Sequence, residues 1–234
     1  MGNDSYFYGK EYYYYKYRPS YSENAIQYLK NYLDNCNVIE LGAGPGNLSK
    51  QLLGTTKLKQ LTTIEPNLTF INYQYQNLQQ YIQQKRCFIK QGYAENLENI
   101  NAKIVIVGQA IHWFDKELFL RELKRIGCEL LIILESWTTY DIRFFKKYRP
   151  NIITNKERLS SYFKNYTKKS FSNDLYFNTF EQFSGYMMSM SYAPEAPAMI
   201  EEYINNCQKF WLKYSQIQYL CINGTIEVWI GTPF

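Results

Sequence analysis

The chain has 234 residues, 26 basic and 21 acidic, with a formal net charge of +5, enough to bury a core without staples and to form one α/β domain with an added subdomain. Cys36, Cys87, Cys128, Cys207 and Cys221 form no Cys-x-x-Cys pair, and the single histidine, His112, lies near none of them, which counts against both a metal centre and a disulfide framework. No N-terminal run reads as a signal peptide, and no stretch approaches the ~18 apolar residues of a membrane span, so a cytoplasmic protein with no membrane partner is expected.

Residues 22–33 carry Ala25, Ile26, Leu29 and Leu33 on one helical face, with Ser22 placed to cap it. Val38–Leu41 is a short apolar strand that runs into Gly42-Ala43-Gly44-Pro45-Gly46, and Leu48, Leu52 and Leu53 mark the helix behind that loop. Leu61–Ile64 is the next strand and ends at Glu65; residues 67–84 read as a helix and Arg86–Lys90 as a strand. Ile104–Val107 is apolar at every position, as a strand buried on both faces would be. Phe114–Ile126 has helical spacing, and Glu129–Leu134 is a fifth strand. This alternation implies a parallel sheet with helices on both faces.

The remaining third changes character. Residues 141 to 170 read as helical and charged, and much of the basic excess lies between Arg143 and Lys169. Such a run is more often a solvated face than a docking surface for an acidic partner. A Met-rich aromatic stretch follows at 183–192. Ile217–Ile222, Asn223-Gly224 and Thr225–Ile230 then read as an antiparallel hairpin with an Asn-Gly turn. The Tyr12–Tyr15 run is a candidate aromatic lid.

The glycine loop is the strongest local signal. It lies at the carboxyl end of a parallel strand, where open α/β sheets bind ligands, and glycine permits sharp turns and close approach of a ligand. Its spacing is G-x-G-x-G, because Asn47 stands where a dinucleotide fingerprint needs glycine. Glu65 closes the next strand, roughly the ~20 residues downstream where a ribose-binding acid is expected. Loop and acid together point to a nucleoside site; a turn plus a helix cap is the competing reading.

Five segments in order, Arg18-Pro19-Ser20-Tyr21, Glu40–Gly46, Glu65-Pro66, Gly92-Tyr93-Ala94-Glu95 and Gln109-Ala110-Ile111-His112-Trp113-Phe114-Asp115, resemble the class I methyltransferases grouped as methyltransferase type 11, relatives of trans-aconitate methyltransferase among them. Ser189-Met190-Ser191-Tyr192-Ala193-Pro194 and Gly224–Gly231 resemble that family's tail, so the likeness spans nearly the whole chain. It implies a Rossmann-like, mostly parallel seven-stranded sheet with an antiparallel last strand and a helical insertion or lid. The expected layout is one domain, 1–234, with an N-terminal lid over 1–21 and a substrate lid over 137–197.

The resemblance also implies S-adenosyl-L-methionine as cofactor. Gly42, Gly44 and Gly46 would lie along its methionine part, Glu65 would hold the ribose, and Ala94 and Glu95 would border the adenine. Gln109 and Ala110 would line the transfer site, Arg18 and Tyr21 would lie near the cofactor's charged end, and Glu40, Ala43, Pro66 and Trp113 are further expected cofactor contacts. Tyr93 stands where many relatives carry aspartate, which shifts the adenine contact to Glu95 or a backbone carbonyl.

His112 is the candidate catalytic base; the competing reading packs it with Trp113 against the lid or cofactor. The expected acceptor is a small molecule, with a carboxylate or a hydroxyl as the methylated group, and the protein a monomer or homodimer. A nucleic-acid methyltransferase is the second reading, opposed by the lack of an Asn- or Asp-Pro-Pro-aromatic motif after the fourth strand. A non-catalytic protein that kept the fold is the third.

Overall fold

The computed structural model describes residues 7–98, 100–139, 145, 148, 159–217 and 219–234. The main sheet has seven strands in the order β3-β2-β1-β4-β5-β9-β6. β1 (Asn37–Leu41), β2 (Gln60–Glu65), β3 (Cys87–Gln91), β4 (Ile104–Gly108) and β5 (Leu130–Thr138) are all parallel. β9 (Gly224–Pro233) is antiparallel to β5 on one side and to β6 (Phe163–Ser172) on the other. The strand order turns back between β1 and β4, and the crevice of such a sheet opens at that point, outside the strands' carboxyl ends.

Helices cover both faces, as the buried strands require. α2 (Glu23–Leu33) buries Ala25, Ile26, Leu29 and Leu33, the face its spacing marks, although the Ser22 side chain makes no capping bond. α3 (Asn47–Thr55) packs with it against Val38, Ile106, Ile132 and Leu134. The opposite face carries Ile39, Leu41, Val105, Val107 and Ile133 under α6 (Lys116–Arg125), which contributes Phe119 and Leu123 and is capped by Asp115. The stretch 67–84 forms two helices, α4 (Leu68–Asn77) and α5 (Gln79–Gln83), joined at Leu78. Asn67 caps α4 by accepting the Thr69 and Phe70 amides.

A third apolar cluster lies in the last third of the chain. α7 (Phe180–Met188) and α8 (Pro197–Tyr214) enclose Phe183, Met187, Tyr203 and Phe210 beside a small sheet of β7 (Leu175–Phe177) and β8 (Leu220–Ile222). The N-terminal helix α1 (Glu11–Tyr17) rests on α7, where the Tyr17 ring fills the space a Cβ would take at Gly185.

Two expectations fail here. The segment read as helical from about 141 to 170 ends in strand β6, Phe163–Ser172, instead of a helix. Its residues are mostly exposed because it is the sheet's edge, so polar residues fill both faces and hide the strand period. Most of residues 140–158 lie outside the described residues. Within 137–197, Trp137 and Thr138 still belong to β5, and the described helical part is chiefly α7.

The closing hairpin is also absent. β8 pairs with β7, while β9 crosses into the main sheet. Asn223-Gly224 is the switch between the sheets. The Gly224 amide donates to Asp174 Oδ1 at 2.9 Å, its carbonyl accepts from the Asn173 amide, and the Asn173 carbonyl occupies the space of a Cβ. Glycine is needed there for close backbone approach, which a sequence cannot distinguish from a turn.

Candidate active site

The loop after β1 takes the conformation its glycines allow. Gly42, Gly44 and Gly46 have φ of 64°, 55° and 86°, a region costly for other residues. At Gly42 a Cβ would also meet Ala110 Cβ at 2.5 Å. Glu65, buried at the end of β2, ties this loop down: one oxygen accepts the Gly44 amide at 2.8 Å and the other the Asn67 amide at 3.1 Å. Gln74, buried on α4, adds a bond to the Gly44 carbonyl at 2.7 Å.

Beside the loop lies a cavity of about 100 Å³. Gly42, Gly44, Glu65, Pro66, Ala94, Glu95, Gln109, Ala110 and Trp113 line it, so nine of the expected cofactor residues meet there. Glu95 also accepts the Asp115 amide at 2.8 Å, which fixes the turn into α6. Phe7, Tyr14 and Phe70 close the cavity as an edge-on aromatic cluster. Phe7 and Phe70 escape a sequence reading because both reach the cavity only through tertiary packing.

A second cavity of about 250 Å³ adjoins the first, and Tyr14, Gly42, Gly108 and Gln109 wall both. It collects Arg18, Tyr21, Glu40, Ala43 and His112, the remaining expected residues except Gly46. Gly46 is the N-cap of α3 and faces Leu78 and Gln74, so it shapes the loop without lining either cavity. The second cavity also holds Glu135, Trp137, Met190 and Tyr192. Of the Met-rich stretch, Met187 is core and Met190 is also cavity wall. Glu135 and Trp137 went unread because the fifth strand appeared to stop at Leu134; β9 extends it.

Gln109 separates the cavities with φ of 58°. A left-handed non-glycine residue at a site stores strain that the surrounding packing must hold. Its amide is anchored on the Leu134 carbonyl at 2.9 Å. Gly108 beside it leaves room for Leu48 and the Tyr21 hydroxyl, each 2.7 Å from where a Cβ would stand.

Glu40 is buried, and desolvation lifts its carboxyl to about 8 despite the Ser49 hydroxyl donating to it at 2.6 Å, with the nearby Glu65 charge adding to the rise. Burial likewise raises the Tyr14 phenol, opposed by the Arg18 guanidinium lying 4.6 Å over its ring, and raises Tyr21 well beyond the ordinary phenol range. Both phenols therefore remain O–H donors at neutral pH. Arg18 Nη2 donates to the Ser189 carbonyl at 3.1 Å, while its buried Nε has no hydrogen-bond partner among the described residues.

On the edge strand, Lys168 pairs with Glu227 and lies over Trp229, and Lys169 lies over Tyr28 and Phe171. These contacts use part of the basic run inside the fold. Among the described residues, no His, Cys, Asp and Glu cluster is arranged to hold a metal, and no helix is long and apolar enough to cross a membrane.

Residues 39–128 match the family described as methyltransferase domain, type 11. No curated protein matches the chain. Among solved structures, it is similar to a candidate type II methyltransferase from Anaeromyxobacter dehalogenans, with a TM-score of 0.62 at 15% identity, over 92% of this chain and 97% of that one. It is also similar to the YcgJ protein from Bacillus subtilis, with a TM-score of 0.57 at 11% identity, over 91% of this chain and 98% of that one. A candidate methyltransferase from Bacillus halodurans gives 0.57 at 11% identity, over 91% and 99%. At these identities the likeness speaks to the fold, and the matched segment contains the glycine loop, Glu65, Glu95 and Gln109. Residues 39–128 thus match the type 11 methyltransferase family, and the whole chain has a Rossmann-like methyltransferase fold.

Proposed function

We propose that this protein transfers the methyl group of S-adenosylmethionine to a small-molecule acceptor, with the cofactor in the first cavity and its amino-acid end reaching into the second. The observation that carries this reading is the left-handed Gly42–Gly46 loop bonded to the Glu65 carboxylate at the mouth of two joined cavities. The residues fit the cofactor. The Glu65 carboxylate lines the cavity and can accept ribose hydroxyls, Ala94 and Glu95 line it as well, and Arg18 Nε, without a hydrogen-bond partner among the described residues, suits a carboxylate. When bound, S-adenosylmethionine supplies an activated methyl group on a sulfonium. The protein's part is then to position and to exclude water. Gln109 and Gly108 set the floor between the cavities, and Tyr14 and Phe7 roof it.

A second cavity of about 250 Å³ walled by Tyr186, Met190 and Tyr192 favours a compact acceptor with an apolar part. Titration calorimetry with S-adenosylhomocysteine tests the cofactor site. Binding at micromolar ligand, lost in Glu65→Ala, is the expected result. The absence of heat and of thermal stabilisation at millimolar ligand would overturn the proposal.

A further inference from the structure

We infer that the acceptor is a proton-bearing nucleophile, an alcohol, phenol or amine, whose O–H or N–H meets His112 and Glu135 in the second cavity. The inference rests on the methyl-transfer reading above. Glu135 is 7% exposed, and its Oε1 has no hydrogen-bond partner among the described residues. His112 Nδ1 lies 3.8 Å from it, an ion-pair distance too long for a hydrogen bond. A carboxylate oxygen kept away from water without a donor is costly, and a ligand donor relieves that cost.

The surrounding charges choose the acceptor's class. Glu135 lies directly across the ladder from Glu227, itself buried and paired with Lys168 at 3.3 Å. An acceptor carboxylate placed at Glu135 would face two carboxylates, Glu135 and Glu227, and would bring no donor for Oε1. Arg18, the cation of that wall among the described residues, is engaged by the Tyr14 ring and the Ser189 carbonyl. Trp137, two residues along β5 and therefore on the same face as Glu135, leaves its buried Nε1–H without a partner among the described residues. That donor can hold a second polar atom of the acceptor.

The two groups divide the work. Glu135 Oε1 accepts the acceptor's O–H or N–H and holds it beside the His112 imidazole, whose Nδ1 is 3.8 Å away. His112 then takes that proton while the acceptor's lone pair forms the bond to the methyl carbon. The carbon–sulfur pair stays with sulfur, so the sulfonium becomes a neutral thioether. The imidazolium then passes its proton to solvent, which a side chain 36% exposed permits. Glu135 acts here as a positioning residue. Tyr14, Arg18, Tyr21, Glu40, Tyr186 and Tyr192 are the other titratable groups of the cavity wall among the described residues.

Histidine-labelled protein tests this directly, because one imidazole gives one set of nitrogen resonances. Saturated with S-adenosylhomocysteine, the protein is titrated with three probes of one body: 3-phenylpropan-1-ol, 3-phenylpropylamine and 3-phenylpropanoate. The alcohol and the amine are expected to move the imidazole resonances and to bind at least about tenfold more tightly than the carboxylate. Glu135→Gln should remove that preference and Glu135→Asp restore part of it, with S-adenosylhomocysteine affinity unchanged in both. With labelled methyl donor, His112→Asn should slow methylation of the preferred probe by about a hundredfold or more. Equal or tighter binding of the carboxylate, or an imidazole that no probe moves, would overturn the inference. Failure of S-adenosylhomocysteine to bind would instead strike the cofactor reading.

Discussion

Glu65 Oε2 accepts the Gly44 amide at 2.8 Å, so the acid that ends β2 is bonded to the loop that leaves β1. One carboxylate therefore both shapes the glycine loop and faces the cavity beside it. Glu65→Ala should weaken S-adenosylhomocysteine binding at least tenfold and also lower fold stability by about 1.5–3 kcal/mol, because two backbone amides lose a charged acceptor. Calorimetry and urea denaturation measure the two effects separately. An unchanged affinity would move the ribose contact elsewhere.

Gly42→Ala places a Cβ against Ala110 and forces a left-handed alanine. The conformational cost alone is about 1–2 kcal/mol, and the overlap adds to it. Urea denaturation should show a loss of about 2 kcal/mol or more, with cofactor binding reduced in the same variant. Gly127→Ala is the control, since φ is also positive there but nothing stands within 4 Å of the added Cβ. It should show only the conformational part.

The pH dependence of stability carries the signature of Glu40. Its carboxyl rises from the ordinary 4.5 to about 8 on folding, chiefly by burial. Between those values the folded state binds more protons than the unfolded one, so stability falls as pH rises. The contribution is fully present below about 4.5 and is lost by about 8. Glu40→Gln keeps the shape without the charge. Its stability advantage over the native protein should grow from pH 5 to pH 8 in urea titrations; a constant difference would show that Glu40 does not titrate in that window.

α1 roofs the first cavity through Tyr14 while resting on α7 through Tyr17. If it is a lid, S-adenosylhomocysteine should slow amide exchange over Glu11–Tyr17 as well as over the glycine loop. Protection confined to the loop and Glu65 would make α1 a static cap.

Local rules and the family likeness made much of this site legible. Apolar periodicity marked β1, β2, β4 and α2, because those elements are buried in the way their residues prescribe. The glycine loop was readable because only glycine takes three positive φ values in five residues. Glu65 and Gln109 were placed by lying at strand ends, where the backbone aims them into the crevice.

Tertiary structure decided the rest. β6 is an edge strand whose polar faces carry no period, and Asn223-Gly224 is a sheet switch whose glycine answers to Asn173, a residue far away in sequence. Glu135 became part of the site only because β9 pairs along β5 as far as Thr138 and carries the strand beyond its apolar run. The chain itself determined the glycine loop, whose geometry is local. The second cavity depends on residues from α1, β4, β5 and α7 meeting in space, and no spacing along one segment encodes that meeting.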